Sequence, residues 1–181
     1  RGLACLWVSG TLLAWPRVLA LMATVLGVDG CPAGWFAMIL TDAGTDLQCY
    51  PDFDELWRAH SDADRMLVDI PIGLPETGTR QCDEEARALL RHRGSTVFDA
   101  ICRPLLDAET HDDANAQYRE LAGKGLSRQA WHLRDKTAEV DHIARTDPRA
   151  PTVLRESHPE LCFYAFNEQQ PIAQSKKSDR G

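Results

Sequence analysis

Two apolar runs of this sequence end in an aspartate, at the point where a buried strand should enter its turn. The first is Thr24-Val25-Leu26-Gly27-Val28-Asp29-Gly30-Cys31-Pro32; the second is Arg65-Met66-Leu67-Val68-Asp69-Ile70-Pro71-Ile72-Gly73. Apolar, partly β-branched residues followed by Gly and Pro read as strand then turn. A carboxylate at the tip of a core strand is costly unless something pairs with it. A lone aspartate there caps a strand or opens a turn. Two strands that each deliver one aspartate can instead build a metal site from carboxylate oxygens.

The 181 residues suit one domain, and 44% apolar with 26% charged residues is enough to bury a core. The net charge of −7 disfavours a broad nonspecific nucleic-acid surface, so a nucleic-acid substrate would need a local basic patch. The six cysteines are scattered with no C-x-x-C pair. That pattern argues against structural zinc and suits reduced thiols in the cytoplasm. No family-independent signal marks Cys102 or Cys162 as a nucleophile. Residues Leu3 to Leu21 form an apolar stretch that superficially resembles a secretory signal. The chain starts with Arg1, and Pro16-Arg17 breaks the stretch. Residues 1–21 are therefore read as an upstream extension outside the fold, and no stable membrane partner is expected.

From residue 22 the pattern alternates strands and helices. Strands are expected at 24–29, 35–40, 47–50 and 66–70, with a helix over 52–60 carrying Phe53, Leu56 and Trp57 on one face. Three antiparallel strands, a helix and a further strand make an α/β fold with a mixed sheet. Thr79 to Arg91 reads as a helix with acids in its first turn. Residues 107–121 are polar and Ala-rich, a solvated helix. Ser127 is an N-cap for a helix running to Ala144. Strand character returns at 153–156, a helix with an early proline follows at 159–166, and 174–181 reads as disordered.

Candidate acids are Asp29, Asp69, Glu139, Asp141, Glu156 and Glu160. Glu139 and Asp141 stand two apart on a helix, so at most one of them can face a shared site. Arg155-Glu156-Ser157-His158-Pro159-Glu160 lies where a strand hands over to a helix. Glu156 would end that strand. Glu160 would fall in the first helical turn, where it can act in a site or compensate the helix dipole. His158 is a candidate acid/base group or ligand beside them, or it sets the backbone at the helix entry. A P-loop and a G-x-G-x-x-G fingerprint are both lacking.

These segments together resemble a family of uncharacterised bacterial and archaeal proteins predicted to be RNase H-like nucleases. The resemblance is carried by residues 27–35 (GVDGCPAGW), 68–75 (VDIPIGLP), 80–87 (RQCDEEAR), 95–98 (STVF), 126–131 (LSRQAW), 136–141 (KTAEVD) and 155–163 (RESHPELCF), in the family's order. It covers roughly residues 24 to 181. Family members continue past their Ser-Lys-Lys, whereas this chain stops soon after Ser175-Lys176-Lys177, which suggests truncation at the C-terminus.

The resemblance implies an RNase H-like mixed sheet, three antiparallel strands followed by parallel ones, flanked by helices. Asp29 on the first strand and Asp69 on the fourth would stand side by side, with Glu156 approaching from a later element. Three such carboxylates repel until Mg²⁺ or Mn²⁺ neutralises them and orients a water for attack on a phosphodiester. Arg80, Arg87, Lys136 or Arg103 would then contact phosphates. Two other classes remain: a non-catalytic binding or scaffold protein of the same fold, and a phosphotransferase of the related actin-like fold. The latter normally needs two domains around a cleft, more than 181 residues supply.

Overall fold

The computed structural model describes residues 23–171, so the leader and the polar tail lie outside the described residues. The described residues divide into two compact units, residues 23–68 with 139–155, and residues 69–138 with 156–171.

The first unit is built on a five-stranded mixed sheet. Strands β1 (Val25–Cys31), β2 (Gly34–Thr41) and β3 (Gly44–Tyr50) form an antiparallel meander. Strand β4 (Arg65–Val68) lies parallel to β1, and β5 (Leu154–Glu156) completes the order β3-β2-β1-β4-β5. Alternation decides which face is buried. Leu26, Val28, Trp35, Ala37, Ile39, Met66 and Val68 point into the core. Helix α1 (Phe53–His60) is capped by Asp52 and buries the expected Phe53, Leu56 and Trp57. The rings of Trp35 and Phe53 meet edge to face at 4.9 Å. The opposite sheet face exposes Phe36, Met38, Leu40, Leu47 and Leu67.

Several strand boundaries differ from expectation: β3 starts at Gly44 rather than at residue 47, and two others bear on the aspartates. Strand β1 continues to Cys31, which pairs with Gly34 around Pro32-Ala33, so Asp29 lies inside the strand opposite Phe36. Strand β4 stops at Val68 rather than at residue 70. Pro71 has no N–H for a ladder, and the backbone of Ile72 bonds side chains instead.

The second unit is helical. It contains α2 (Gln81–Leu90), α3 (His111–Ala122), α4 (Arg128–His132) and α7 (Pro159–Phe166), with 3₁₀ turns at Arg91–Thr96 and Arg103–Leu105. Helix α5 (Arg134–Thr146) starts in this unit and gives its residues from Glu139 to the first; α6 (Ala150–Val153) lies wholly in the first. Ser127 caps α4 as expected, but the single helix expected to Ala144 is interrupted at Leu133, the C-cap of α4. Helix α3 also departs from its solvated reading. Ala114 and Tyr118, one turn apart, are buried with Leu74, Ile101, Leu105, Leu126 and Ala130. The Tyr118 hydroxyl donates to the carbonyl of Ala100 at 3.3 Å. A single i, i+4 apolar pair in a polar stretch is a weak periodic signal, yet a tyrosine buries enough area to anchor the helix.

Candidate functional site

Asp29 lies within β1 of the first unit, and Asp69 directly follows β4 as the first residue of the second unit. In the first unit, β1 and β4 run parallel in register from Val25 and Arg65 to Val28 and Val68, the last partners. Asp29 is the residue after Val28 and is exposed on the sheet; Asp69 is the residue after Val68 and is half-buried. Gly27, two before Asp29, faces open space, since a Cβ there would meet no atom within 4 Å.

Glu156, Arg80 and Asp83 form a compact ionic cluster in the second unit. Arg80 occupies the position before α2 with extended backbone, and Asp83 lies in the first helical turn. The guanidinium Nη1 donates to Glu156 Oε2 at 2.6 Å and Nη2 to Oε1 at 2.8 Å. Its other edge is bound to Asp83, through Nε at 3.1 Å and through Nη2. Asp83 also accepts the N–H of Ala100 at 3.3 Å, and Glu156 Oε2 accepts that of Ile72 at 2.9 Å. Burial alone would lower the affinity of Arg80 for its proton; the hydrogen bonds and charges of Glu156 and Asp83 more than reverse this and hold it above its usual value. Arg80 is 8% exposed. The residue expected to meet phosphate is therefore inside an ion-paired cluster.

The other candidates in this unit are placed as follows. Glu160 is buried at the start of α7 and receives Arg93, Nη2 at 2.6 Å and Nε at 3.2 Å. His158 stands at the N-cap of α7, its Nε2 3.3 Å from the Thr96 carbonyl, while its buried Nδ1 has no hydrogen-bond partner. Arg87 binds Asp99 at 2.8 Å and the Val97 carbonyl at 3.2 Å, and Lys124 reaches the other Asp99 oxygen at 2.7 Å. Arg103 pairs with Glu76, and Lys136 is half-buried in the first turn of α5. The structure thus brings Arg80 to Glu156 but pairs Glu160 with an arginine the sequence did not single out. Among the described residues, no group of three or more His, Cys, Asp or Glu side chains is disposed to hold a metal ion.

Cys102 is poorly placed as a nucleophile. Burial and the Glu76 carboxylate push Cys102 upward, and its Sγ contacts the Gly78 carbonyl at 3.6 Å. Cys162 lies 3.4 Å from the Ser157 hydroxyl.

Glu139, one of the six candidate acids, has a structural task in the first unit. Its Oε2 accepts the indole N–H of Trp35 at 2.8 Å and the backbone N–H of Phe53 at 2.7 Å. That ties α5 to both β2 and the start of α1.

The fold and these placements define an α/β protein with a five-stranded mixed sheet flanked by helices. More narrowly, residues 27–181 match the model of a family described as a protein of unknown function (DUF429), and the chain belongs to that family. No curated protein and no solved structure matches the chain. Among the described residues, no helix is long and apolar enough to cross a membrane.

Proposed function

We propose that this chain is an RNase H-like, metal-dependent hydrolase of phosphodiester bonds, with Asp29 and Asp69 as oxygen donors for Mg²⁺ or Mn²⁺. One observation carries the reading: the paired strands β1 and β4 end their register at Val28 and Val68, and an aspartate follows each. The antiparallel β1-β2-β3 meander with β4 parallel to β1 also supports it. The donor chemistry suits a small hard cation, because Mg²⁺ is commonly held by one or two carboxylates and keeps several waters. When bound, such an ion supplies a nucleophilic water and offsets the charge of the phosphate. The chain's own contribution is to present two carboxylates, one from within β1 and one from the residue after β4. The exposure of Asp29 leaves it reachable by a substrate, and the open space above Gly27 leaves room beside it.

Calorimetric titration of Mn²⁺ and Mg²⁺ into the full chain, Asp29→Asn and Asp69→Asn tests this. Binding by the parent, lost in both variants with circular dichroism unchanged, is the expected result, and phosphodiesterase activity should disappear with it. A parent chain that binds neither ion would sink the reading and leave a non-catalytic binding module of the same fold.

A further inference from the structure

Arg80 carries five N–H donors, and all of them are engaged. Nε and one Nη2 hydrogen serve Asp83; the other Nη2 hydrogen serves Glu156 Oε1. Nη1 divides its two between Glu156 Oε2 and the carbonyl of Ile72, the latter at 3.0 Å. Nothing on this side chain is left for a phosphate. Glu156 spends three of its roughly four lone-pair sites here, since Oε1 takes Arg80 and Oε2 takes both Arg80 and the Ile72 N–H. The pair therefore holds both backbone polar groups of Ile72, the N–H through Glu156 and the carbonyl through Arg80.

Ile72 is three residues beyond Asp69. Between them Ile70 is buried and Pro71 has its φ fixed by its ring, so the turn retains few free torsions once Ile72 is held. We infer that Arg80 and Glu156 are a positioning pair, which fixes the turn after β4 and with it the carboxylate of Asp69, while neither touches substrate or ion. The inference rests on the proposed role of Asp69 in binding the ion. It gives the strand-to-helix handover at Glu156 a task other than ligation, and it explains why an arginine is placed where a phosphate contact was expected.

The test uses Arg80→Lys, which keeps the charge but loses the planar fork, and Glu156→Gln, which keeps the shape but loses the charge. Two quantities are measured on the full chain. One is hydrogen exchange at the Ile72 amide without metal; the other is the Kd for Mn²⁺. Both substitutions should speed exchange at Ile72, and both should weaken Mn²⁺ by a similar factor, about 10- to 100-fold, as supporting residues around metal ligands do. Unchanged exchange at Ile72 in both variants would overturn the inference. So would a direct-ligand pattern, in which Glu156→Gln abolishes Mn²⁺ binding while Arg80→Lys leaves it intact. If Glu156→Gln does not fold, Arg80→Lys decides through the same two quantities. A parent chain that binds no Mn²⁺ would refute the metal reading alone, and the exchange at Ile72 would then judge the clamp by itself.

Discussion

Glu139 and Asp147 show how single carboxylates of the first unit are spent on holding elements rather than on chemistry. Glu139 receives the Trp35 indole and the first backbone N–H of α1 on one oxygen. Glu139→Ala removes the acceptor of two donors at a buried tryptophan and a helix start. Each lost buried hydrogen bond costs about 1–3 kcal/mol, so urea unfolding should show a loss of at least about 2 kcal/mol. A midpoint within error of the parent would refute that role. Asp147 accepts from the Arg149 guanidinium and backbone and from the Trp57 indole at 2.8 Å. The Arg149 side chain first, then Trp57 and the Arg149 amide, hold its carboxyl well below the ordinary 3.8. A group depressed in the folded state adds stability above its unfolded value, and that stability is lost as pH falls through the folded one. Thermal stability should therefore fall below about pH 4, and Asp147→Asn should flatten that acid limb; an identical acid limb in the variant would count against the assignment.

At the level of elements, the β1-β2-β3 meander depends on one close approach. Gly34 opens β2 with φ of +124°, and a Cβ there would lie 2.1 Å from the Tyr50 carbonyl oxygen and 2.6 Å from that of Pro51. Both obstacles are backbone, which cannot swing aside as a flexible side chain can. Gly34→Ala should cost more than about 2 kcal/mol from the strained φ together with the clash. Equilibrium denaturation checks this, and a variant as stable as the parent would show that the β3 end can move. Much of this element level was legible beforehand. Phe53, Leu56 and Trp57 share the buried face of α1 because their spacing is helical, and Ser127 caps α4 because its hydroxyl can reach the Ala130 N–H. The burial of α3 was not legible, because a helix with two buried residues per dozen has almost no apolar period; what buries it is a packed tyrosine.

For the whole molecule, charge sets what the chain can bind without help. A net charge of −7 gives phosphates no broad attractive field. Arg80, Arg87, Arg93, Arg103 and Lys124 are each matched to a carboxylate of the second unit. Without divalent metal, fluorescence anisotropy at physiological salt should show a Kd for duplex DNA or RNA weaker than about 10⁻⁴ M, the weak end of nonspecific binding. Tighter metal-free binding would reveal a basic surface not accounted for by these pairs. The sequence by itself determined the local order of this protein: which runs become strands, which face of α1 is buried, and that an aspartate follows Val28 and Val68, the last partners of β1 with β4. These follow from alternation, helical spacing and turn chemistry, all of which act within a few residues. Only tertiary structure decided which distant side chains the carboxylates meet. Arg80 to Glu156, Arg93 to Glu160 and Trp35 to Glu139 join residues 76, 67 and 104 positions apart. Chain spacing carries no information about such pairings, because the cost of burying a charge is met by whichever partner folding brings within reach.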